Sequence, residues 1–498
     1  MKREFHATVK KMAGHGLGLV LLGNLLAQRY GGDIAKNDQI DDLFIAGGAG
    51  EHAKQVMQHY EDKLWQKDGK ETVFLPLLGL FDRPMDVELF KQLQEKAEVA
   101  HGLQNMADPE INQMVGNLEH IGLILHDKTG VVGERTEYDA HPLVREYFGQ
   151  KFEKEEPKLF RQAHRVFFFC LMSLGRMTEA VRPRRGQMQI SEKLEDWLNA
   201  ANAATNLVDL LLATGSLLDA EKRAKQGIEW AGKTADKYRQ LVNHSQLATT
   251  LHRLGKMEAS QEFFQKAEGL QGEDDPQKPQ LYALQGARYC ALMLEQAQSK
   301  ADYGVVLQRA QDAQKIALKR NHLLAIAFDE LTIARSQTLL GETRAAQIAF
   351  DAAVDGIRKA GKIEFLPDFL NHRANFRRQQ GEQEKGQHDL DAALETAVRC
   401  GLLLYEADGR LLQCHYLLDE GKLKEAGVAL ERAEKLIEQM SYGQKIVEMY
   451  IARARFEYHN GNGELAKKTL QLSKERITEI GQFGLRGELE RVGEEIGF

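Results

Sequence analysis

Glycines recur at a fixed spacing through most of this chain. They form two groups with a constant 40-residue step, which are Gly175, Gly215 and Gly255, then Gly341, Gly381, Gly421 and Gly461. Most are followed after five residues by an alanine, and after twelve by another small residue such as Ala267 or Ala353. A period of this length predicts a stack of repeated units, each buried against its neighbours.

The repeat resembles the tetratricopeptide repeat (TPR), a pair of antiparallel helices. In that family helix A ends at a turn glycine, whose φ freedom lets the chain reverse. Small residues such as Ala334 and Ala353 would let two helix axes approach closely where the helices cross. The family consensus has a length of about 34 residues. The longer step in this chain implies helices or connections that are longer by six.

Two irregularities interrupt the register. The step from Gly255 to Gly341 is 86 residues, which leaves room for one degenerate repeat near 298–317 and a loop at 272–279. Gly386 stands where the pattern has alanine. Stacked repeats tolerate such drift, so residues 156–498 are predicted to form a TPR-like α-α superhelix of about eight helix pairs.

The 40-residue pattern stops before residue 150. Residues 1–68 are predicted to form a small helical domain, since the segment 14–28 has the composition of a buried helix. Residues 69–155 combine short helices, a charged turn between brief extended pieces and a closing helix, which indicates a winged helix. The predicted fold class is all-α dominated, with these two domains followed by the superhelix.

Two short motifs resemble the C-terminal half of the nucleotide-switch module in signal-transduction ATPases with numerous domains (STAND), the NB-ARC-like class. GHGL at 14–17 stands where that family opens its helical domain, with Gly16 in place of a proline. AHPLVR at 140–145 stands where the family has Met-His-Asp, with Pro142 in place of the aspartate. The resemblance implies that His141 contacts the β-phosphate of ADP. A structural histidine that caps the last helix of the winged helix is the alternative.

The family resemblance also implies a P-loop domain ahead of these segments, whereas the chain starts at Met1, almost inside the helical domain. We therefore expect an incomplete switch that is not an enzyme by itself. The chain is expected to be a fragment, to result from an alternative start, or to be half of a split protein whose ATPase half is a separate P-loop chain. ADP or ATP is expected only together with the missing nucleotide-binding domain, and no cofactor is expected in isolation.

Residues 227–234, GIEWAGKT, match the Walker A pattern formally. A working phosphate loop follows an apolar strand, but the preceding segment LDAEKRAKQ is charged and has a helical pattern. We interpret this stretch as the end of a repeat helix. An ATP-binding NTPase acting through Lys233 remains the alternative.

Charge argues against nucleic-acid and membrane partners. The formal net charge is -7, and no Lys or Arg occurs between Lys96 and Lys128, where the recognition helix of the winged helix is predicted. Phosphate contacts need such residues, so DNA binding is not favoured, although a winged-helix transcriptional regulator remains an alternative. The apolar segment 17–26 is too short to span a bilayer.

Other chemical signals are weak. The four cysteines are widely spaced without a CxxC pair, and neither HExxH nor GxSxG occurs, so no metal, disulfide or nucleophile site is predicted. Reduced thiols and the lack of a signal peptide favour a cytoplasmic location.

In a TPR array the position six residues before the turn glycine faces the concave groove. By that register the column is Arg335, Asn375, His415 and Arg455, with Asn371, Arg378 and Tyr458 as neighbours. Polar side chains along a groove are suited to hold a peptide or an acidic ligand, and a solvated helix face is the alternative. We predict a non-catalytic scaffold and sensor whose repeats recognise a protein or peptide, and whose residues 12–150 relay this to a nucleotide switch.

Overall fold

The computed structural model describes residues 6, 9–10, 16–33, 49–64, 69–81, 83–125 and 136–498. These residues contain 23 α-helices and one small two-stranded sheet. Their contacts divide them into two compact units, residues 1–173 and residues 174–498. Among the described helices, none combines the length and the apolar character needed to cross a membrane.

The first unit is helical with one short β-ladder. Its elements are α1 (Gly16–Tyr30), α2 (Ala49–Leu64), α3 (Lys70–Leu78), β1 (Met85–Asp86), α4 (Val87–Gln94), α5 (Asp108–His120), β2 (Glu137–Tyr138), α6 (Pro142–Glu155) and α7 (Pro157–Ser173). The strands pair antiparallel, with Met85 opposite Tyr138. Phe74, Phe90 and Tyr138 pack edge to face in the core, with ring centroids 5.1–5.4 Å apart.

The order α3-β1-α4-α5-β2-α6 agrees with the sequence pattern from which a winged helix was predicted, and that assignment stays a prediction. The predicted charged turn between α5 and β2 lies mostly outside the described residues, as do Gly14 and His15 of the first family motif. Helix α7, which the sequence-based boundary at residue 156 places in the repeat array, packs against α4 and α6 of the first unit.

The second unit is a stack of antiparallel helices. It consists of α8 (Met177–Lys193), α9 (Trp197–Ala213), α10 (Leu217–Gly232), α11 (Lys237–Arg253), α12 (Met257–Asp274), α13 (Ala283–Gln296), α14 (Lys300–Lys319), α15 (Leu323–Leu340), α16 (Thr343–Lys359), α17 (Leu366–Gln379), α18 (Gln383–Cys400), α19 (Leu403–Asp419), α20 (Leu423–Met440), α21 (Ile446–His459), α22 (Gly463–Ile480) and α23 (Arg486–Ile496). Two short 3-10 turns, Gly443–Lys445 and Phe483–Leu485, precede α21 and α23. From α9 to α22 the odd-numbered helices are the inner members of successive pairs.

The repeated glycines have the conformation that the sequence pattern predicts. All seven have φ between +71° and +84°, and the small residues at the helix crossings are buried; Ala334 and Ala353, for example, are fully buried. The predicted TPR-like superhelix is therefore confirmed. A second set of left-handed residues ends the outer helices, 20 residues after the turn glycines of the second group, at Gly361, Gly401, Ser441 and Gly481.

Both irregularities have a structural explanation. The extra pair α13 and α14 fills the 86-residue step, and in place of a glycine turn Ser299 begins α14 with a capping box, in which its backbone N–H donates to Asp302 (2.9 Å). Gly386 lies against the Tyr416 hydroxyl, which donates to the Ala374 carbonyl at 2.8 Å. A methyl group at residue 386 would overlap that hydroxyl, so glycine replaces alanine there.

The array closes on itself, because its first repeats contact its last ones. Helix α9 packs on α19, α11 packs on the turn at 443–445, and α13 packs on the turn at 483–485. The backbones of Gly255 and Gly443 meet so closely that a Cβ at Gly255 would lie 2.8 Å from the Gly443 carbonyl carbon. The closure converts the open groove of a repeat array into a half-buried cavity.

Hydrogen bonds at this closure centre on Glu295. The His252 Nε2 atom lies 3.0 Å from its carboxylate, and Gln444 and Gln482 donate their side-chain N–H groups to it at 2.5 and 3.0 Å. Arg253 donates to Gln444 at 2.8 Å. We call these five residues the polar clasp.

The charge of Glu295 is strongly favoured in the folded chain. Burial raises its pKa, but the nearby charges of His252, Arg335 and Lys445 lower it by a larger amount. The pKa therefore falls from 4.5 to about 2. Because the folded-state pKa lies below the unfolded one, Glu295 contributes stability above about pH 4.5 that is lost as the pH falls towards 2.

Replacing Gly255 should destabilise the chain more than replacing Gly421. Both have positive φ, but only Gly255 lacks space for a Cβ. We expect Gly421→Ala to lower the free energy of unfolding by about 1 kcal/mol through strain alone, and Gly255→Ala by about 2 kcal/mol more through overpacking. Urea denaturation followed by circular dichroism measures both, and equal losses would contradict the backbone contact.

Substituting Glu295 should weaken the polar clasp in a pH-dependent way. Glu295→Gln is expected to cost about 2 kcal/mol at pH 7, the scale of a hydrogen bond to a charged group, while Glu395→Gln at an exposed site should cost little. The difference between wild type and Glu295→Gln should shrink as the pH falls from about 4.5 towards 2. Thermal melts across that range measure it, and a constant difference would disprove the assignment.

Candidate functional site

The inner helices of the array enclose a cavity of about 510 Å³. Its lining comes from α9, α11, α13, α15, α17, α19, α21 and α23, together with the turns at 443–445 and 483–485, and Phe350 reaches it from the outer helix α16. The volume lies in the range of ligand pockets. The cavity therefore suits a small molecule or a short chain segment rather than a folded domain.

Local sequence explains which side chains face the cavity. Ala248, Ala334 and Ala374 are fully buried against the neighbouring helices. The next residue on a helix points about 100° around its axis, and the residues that follow, Thr249, Arg335 and Asn375, line the cavity. The small residue that permits close packing thus also orients the inner polar residue.

One sector of the lining is apolar, and we call it the aromatic wall. It comprises Phe328, Phe350, Phe365 and Phe376. Phe328 packs edge to face on Phe365 with centroids 5.2 Å apart, and Phe350 packs on Phe376 at 5.0 Å. Phe328, Phe350 and Phe376 are only 3–8% exposed, so the wall offers a ligand side chain a small preformed apolar patch.

Four of the seven predicted groove residues line the cavity, namely Arg335, Asn371, Asn375 and His415. Asn371 donates to the Tyr405 carbonyl at 3.2 Å, while its side-chain oxygen is buried without a partner. In residues 174–498, all of which are described, Asn375 and Arg335 make no side-chain hydrogen bond or ion pair. That these residues contact a ligand stays a prediction.

The other three predicted groove residues lie outside the lining. Arg378 and Arg455 both donate to Asp419, and Arg455 also pairs with Glu495 of α23 at 2.8 Å. Tyr458 is 40% exposed. Helix α23 packs on α21, so Arg455, which the register assigns to the groove, bonds to this terminal helix instead.

The titratable groups of the cavity are poorly solvated. Burial, followed by the charges of nearby cations, lowers the pKa of His372 and His415 well below the usual value, so both imidazoles are neutral at pH 7. Burial raises the pKa of Asp368, and it raises that of Glu448 to about 7 although Lys445 opposes this. Polar contacts inside the cavity therefore form in a medium that strengthens them.

The Walker-like segment has no P-loop geometry. Residues 227–232 are the last turns of α10, the preceding residues are helical, and Gly227 lies against Asn243 and Ala204. The Lys233 Nζ atom stacks over the Trp197 ring at 3.9 Å. No feature of this fully described segment resembles the strand and loop that hold a phosphate.

His141 is the N-cap residue of α6, and its Nδ1 atom accepts a hydrogen bond from the Leu143 backbone N–H at 3.2 Å. This is the capping arrangement that sequence analysis gave as the alternative, and the predicted contact with ADP stays a prediction. Among the described residues, no cluster of three or more His, Cys, Asp or Glu is arranged for a metal ion.

Sequence reasoning missed the polar clasp and the aromatic wall. The clasp joins residues up to 192 positions apart, which no local pattern reveals. Phe350 is part of a regular outer helix, and its reach to the cavity depends on the spacing of α15 and α17. The sequence signal that could have indicated the wall is the set of phenylalanines between residues 328 and 376.

No protein-family model and no curated protein matches the sequence. Among solved structures, a STAND protein with a tetratricopeptide repeat sensor from Pyrococcus horikoshii aligns over 100% of this chain and 67% of its own, with 16% identity and a TM-score of 0.46. A Rap protein complexed with competence and sporulation factor aligns over 68% of this chain and 98% of its own, with 13% identity and a TM-score of 0.45. Aspartyl phosphate phosphatase F from Bacillus subtilis aligns over 93% of this chain and 94% of its own, with 12% identity and a TM-score of 0.33.

Proposed function

We propose that this chain is a non-catalytic binding protein whose repeat array holds a short segment of a peptide or protein in its central cavity. The observation that carries the proposal is the pairing of an aromatic wall with carboxamides that have unused hydrogen-bonding groups. A peptide presents the matching features, since apolar side chains alternate with amide groups along its length.

The carboxamides are placed to bind a backbone. Asn371 and Asn375 lie one turn apart on α17, so their side chains project from the same face of the helix. Each carboxamide has both a donor and an acceptor, as a peptide group has. The side-chain oxygen of Asn371 is buried without a partner, where an unmade hydrogen bond is costly, and a small rotation of the side chain would present it to a ligand N–H.

The alternatives from sequence analysis receive less support. Lys233 lies at a helix end with its charge over an indole ring, a geometry that offers no phosphate loop. The exposed face of α5 carries Asp108, Glu110, Asn112 and Gln113, which supplies no cation for DNA phosphates.

We further propose the role of sensor in a STAND-type signalling switch. The first unit would relay ligand binding to a nucleotide-binding domain on a separate P-loop ATPase chain, where His141 would meet ADP or ATP. The support is the helix and strand order of residues 69–155 and the position of His141 at a helix N-terminus. The four cysteines are free and buried, which fits the proposed cytoplasmic location.

Filling the cavity should abolish binding. Ala291 lines the cavity on α13, whereas Ala301 is exposed at the start of α14, so Ala291→Trp and Ala301→Trp form a matched pair. We expect the full chain to retain members of a random five-residue peptide pool in equilibrium dialysis, read by mass spectrometry. Ala291→Trp should reduce retention at least about tenfold, the effect of about 1.4 kcal/mol, and Ala301→Trp should not. Equal retention by all three proteins would place binding elsewhere.

A further inference from the structure

We propose that Arg335 is the receptor for a carboxylate of the bound peptide, and that the cavity selects a ligand with one carboxylate beside an apolar side chain. This rests on the proposed function and specifies the ligand class of the same cavity. The carboxylate belongs either to the peptide C-terminus or to an Asp or Glu side chain.

Arg335 differs from the other cations of the lining. Residues 174–498 are all described, and within them four cavity cations have partners. Arg288 pairs with Asp209 at 2.5 Å, Arg253 donates to Gln444 at 2.8 Å, Lys445 pairs with Glu448 at 2.7 Å, and Arg491 lies 3.9 Å from Glu488. Within the same residues Arg335 has no such partner. An unpaired guanidinium facing a half-buried cavity is therefore available to an anion.

The acids nearest Arg335 do not use its donors. Arg335 lowers the pKa of Glu295 and Asp368 through space, yet it forms an ion pair with neither. Glu295 is engaged by the polar clasp. Within the fully described array Asp368 lies 3.7 Å from the neutral imidazole of His372 and has no cationic ion-pair partner. The planar guanidinium keeps its fork of N–H donors, which matches a carboxylate in two parallel hydrogen bonds.

The surroundings of Arg335 suit the rest of a peptide. Phe328 and Leu331 precede it by seven and four residues, so all three lie in one stripe of α15, and all three line the cavity. Asn375 occupies the same position in the next repeat, on α17. A carboxylate on Arg335 would thus have an apolar surface on one side and a carboxamide on the neighbouring inner helix.

The overall charge of the lining argues against a polyanion such as a nucleotide. Six acids line the cavity, Asp209, Glu295, Asp368, Asp408, Glu448 and Glu488, against five cations. Since the other cations already have partners, a second or third negative charge would meet carboxylates. One carboxylate is what the unpaired Arg335 accommodates.

The test uses four synthetic pools of acetylated five-residue peptides. Two pools have a free C-terminus and two have an amidated C-terminus. One pool of each kind contains Asp and Glu, and the other lacks both. We expect the wild-type chain to retain either the free-carboxylate pools or the amidated pool that contains Asp and Glu, which identifies the source of the carboxylate. The amidated pool without acids should not be retained.

Charge removal at residue 335 gives the second readout. Arg335→Gln should weaken binding of the retained peptides by about tenfold to a hundredfold, as expected for a hydrogen bond to a charged group. Arg335→Lys should weaken it less. Arg344→Gln, at an exposed arginine on α16, should leave it unchanged. Arg335→Lys keeps the charge that lowers the pKa of Glu295, so its thermal melt should match wild type, whereas Arg335→Gln should melt at a slightly lower temperature.

The outcomes distinguish the carboxylate preference of the cavity from its ability to bind a peptide. Retention of the acid-free amidated pool, or unchanged binding by Arg335→Gln, would overturn the carboxylate assignment and leave peptide binding standing. No retention of any pool by the wild-type chain would overturn the proposed function together with it.

Discussion

The close approach of helices at small residues determines the rest of the array. The crossings are set by side chains such as Ala334 and Ala353, which are fully buried, and most reversals by a residue in the left-handed conformation. Because these constraints recur in every repeat, each pair is rotated from its predecessor in a similar way. The rotation accumulates until the last repeats meet the first, and the central cavity is the result.

Closure changes the physical character of the inner surface. In an open superhelix the inner helices would face water, and their charged groups would be screened. Here the same helices bury Glu295, Asp368 and Lys445. Burial raises the pKa of Asp368, whereas neighbouring opposite charges outweigh burial and lower the pKa of Glu295 and raise that of Lys445. Most of these charges are matched within the protein, which makes the unmatched Arg335 and the unused amide groups of Asn371 and Asn375 chemically distinct.

Sequence reasoning succeeded where the signal was local and repeated. The turn glycines, the small residues and the degenerate pair at α13 and α14 are recognisable because each obeys a rule of helix geometry at a known spacing. The second set of left-handed residues, at Gly361, Gly401, Ser441 and Gly481, was missed as a whole, and Ser441 carries no local signal of that conformation. Helix α7 has the register of a repeat helix through Gly175, but its packing on α4 and α6 depends on surfaces that no periodicity records.

The candidate site was predictable only in part, because a repeat register describes contacts within one repeat and not contacts between distant repeats. Register alone places Arg335, Asn371, Asn375 and His415 on the inner face, and they line the cavity. The same register assigns Arg378 and Arg455 to the groove, yet both bond to Asp419. A register defined within one repeat contains no information on α23 or on the meeting of distant repeats. The polar clasp and the aromatic wall arise from that meeting.

The polar clasp also gives the array a mechanical property. Elsewhere each helix pair is held by its neighbour in sequence, whereas the clasp joins side chains up to 192 positions apart through polar groups that water can also satisfy. Parting it would leave the hydrogen bonds within every helix intact. Opening the array would therefore require the loss of the clasp and of the packing of α9 on α19, but not the unfolding of any helix.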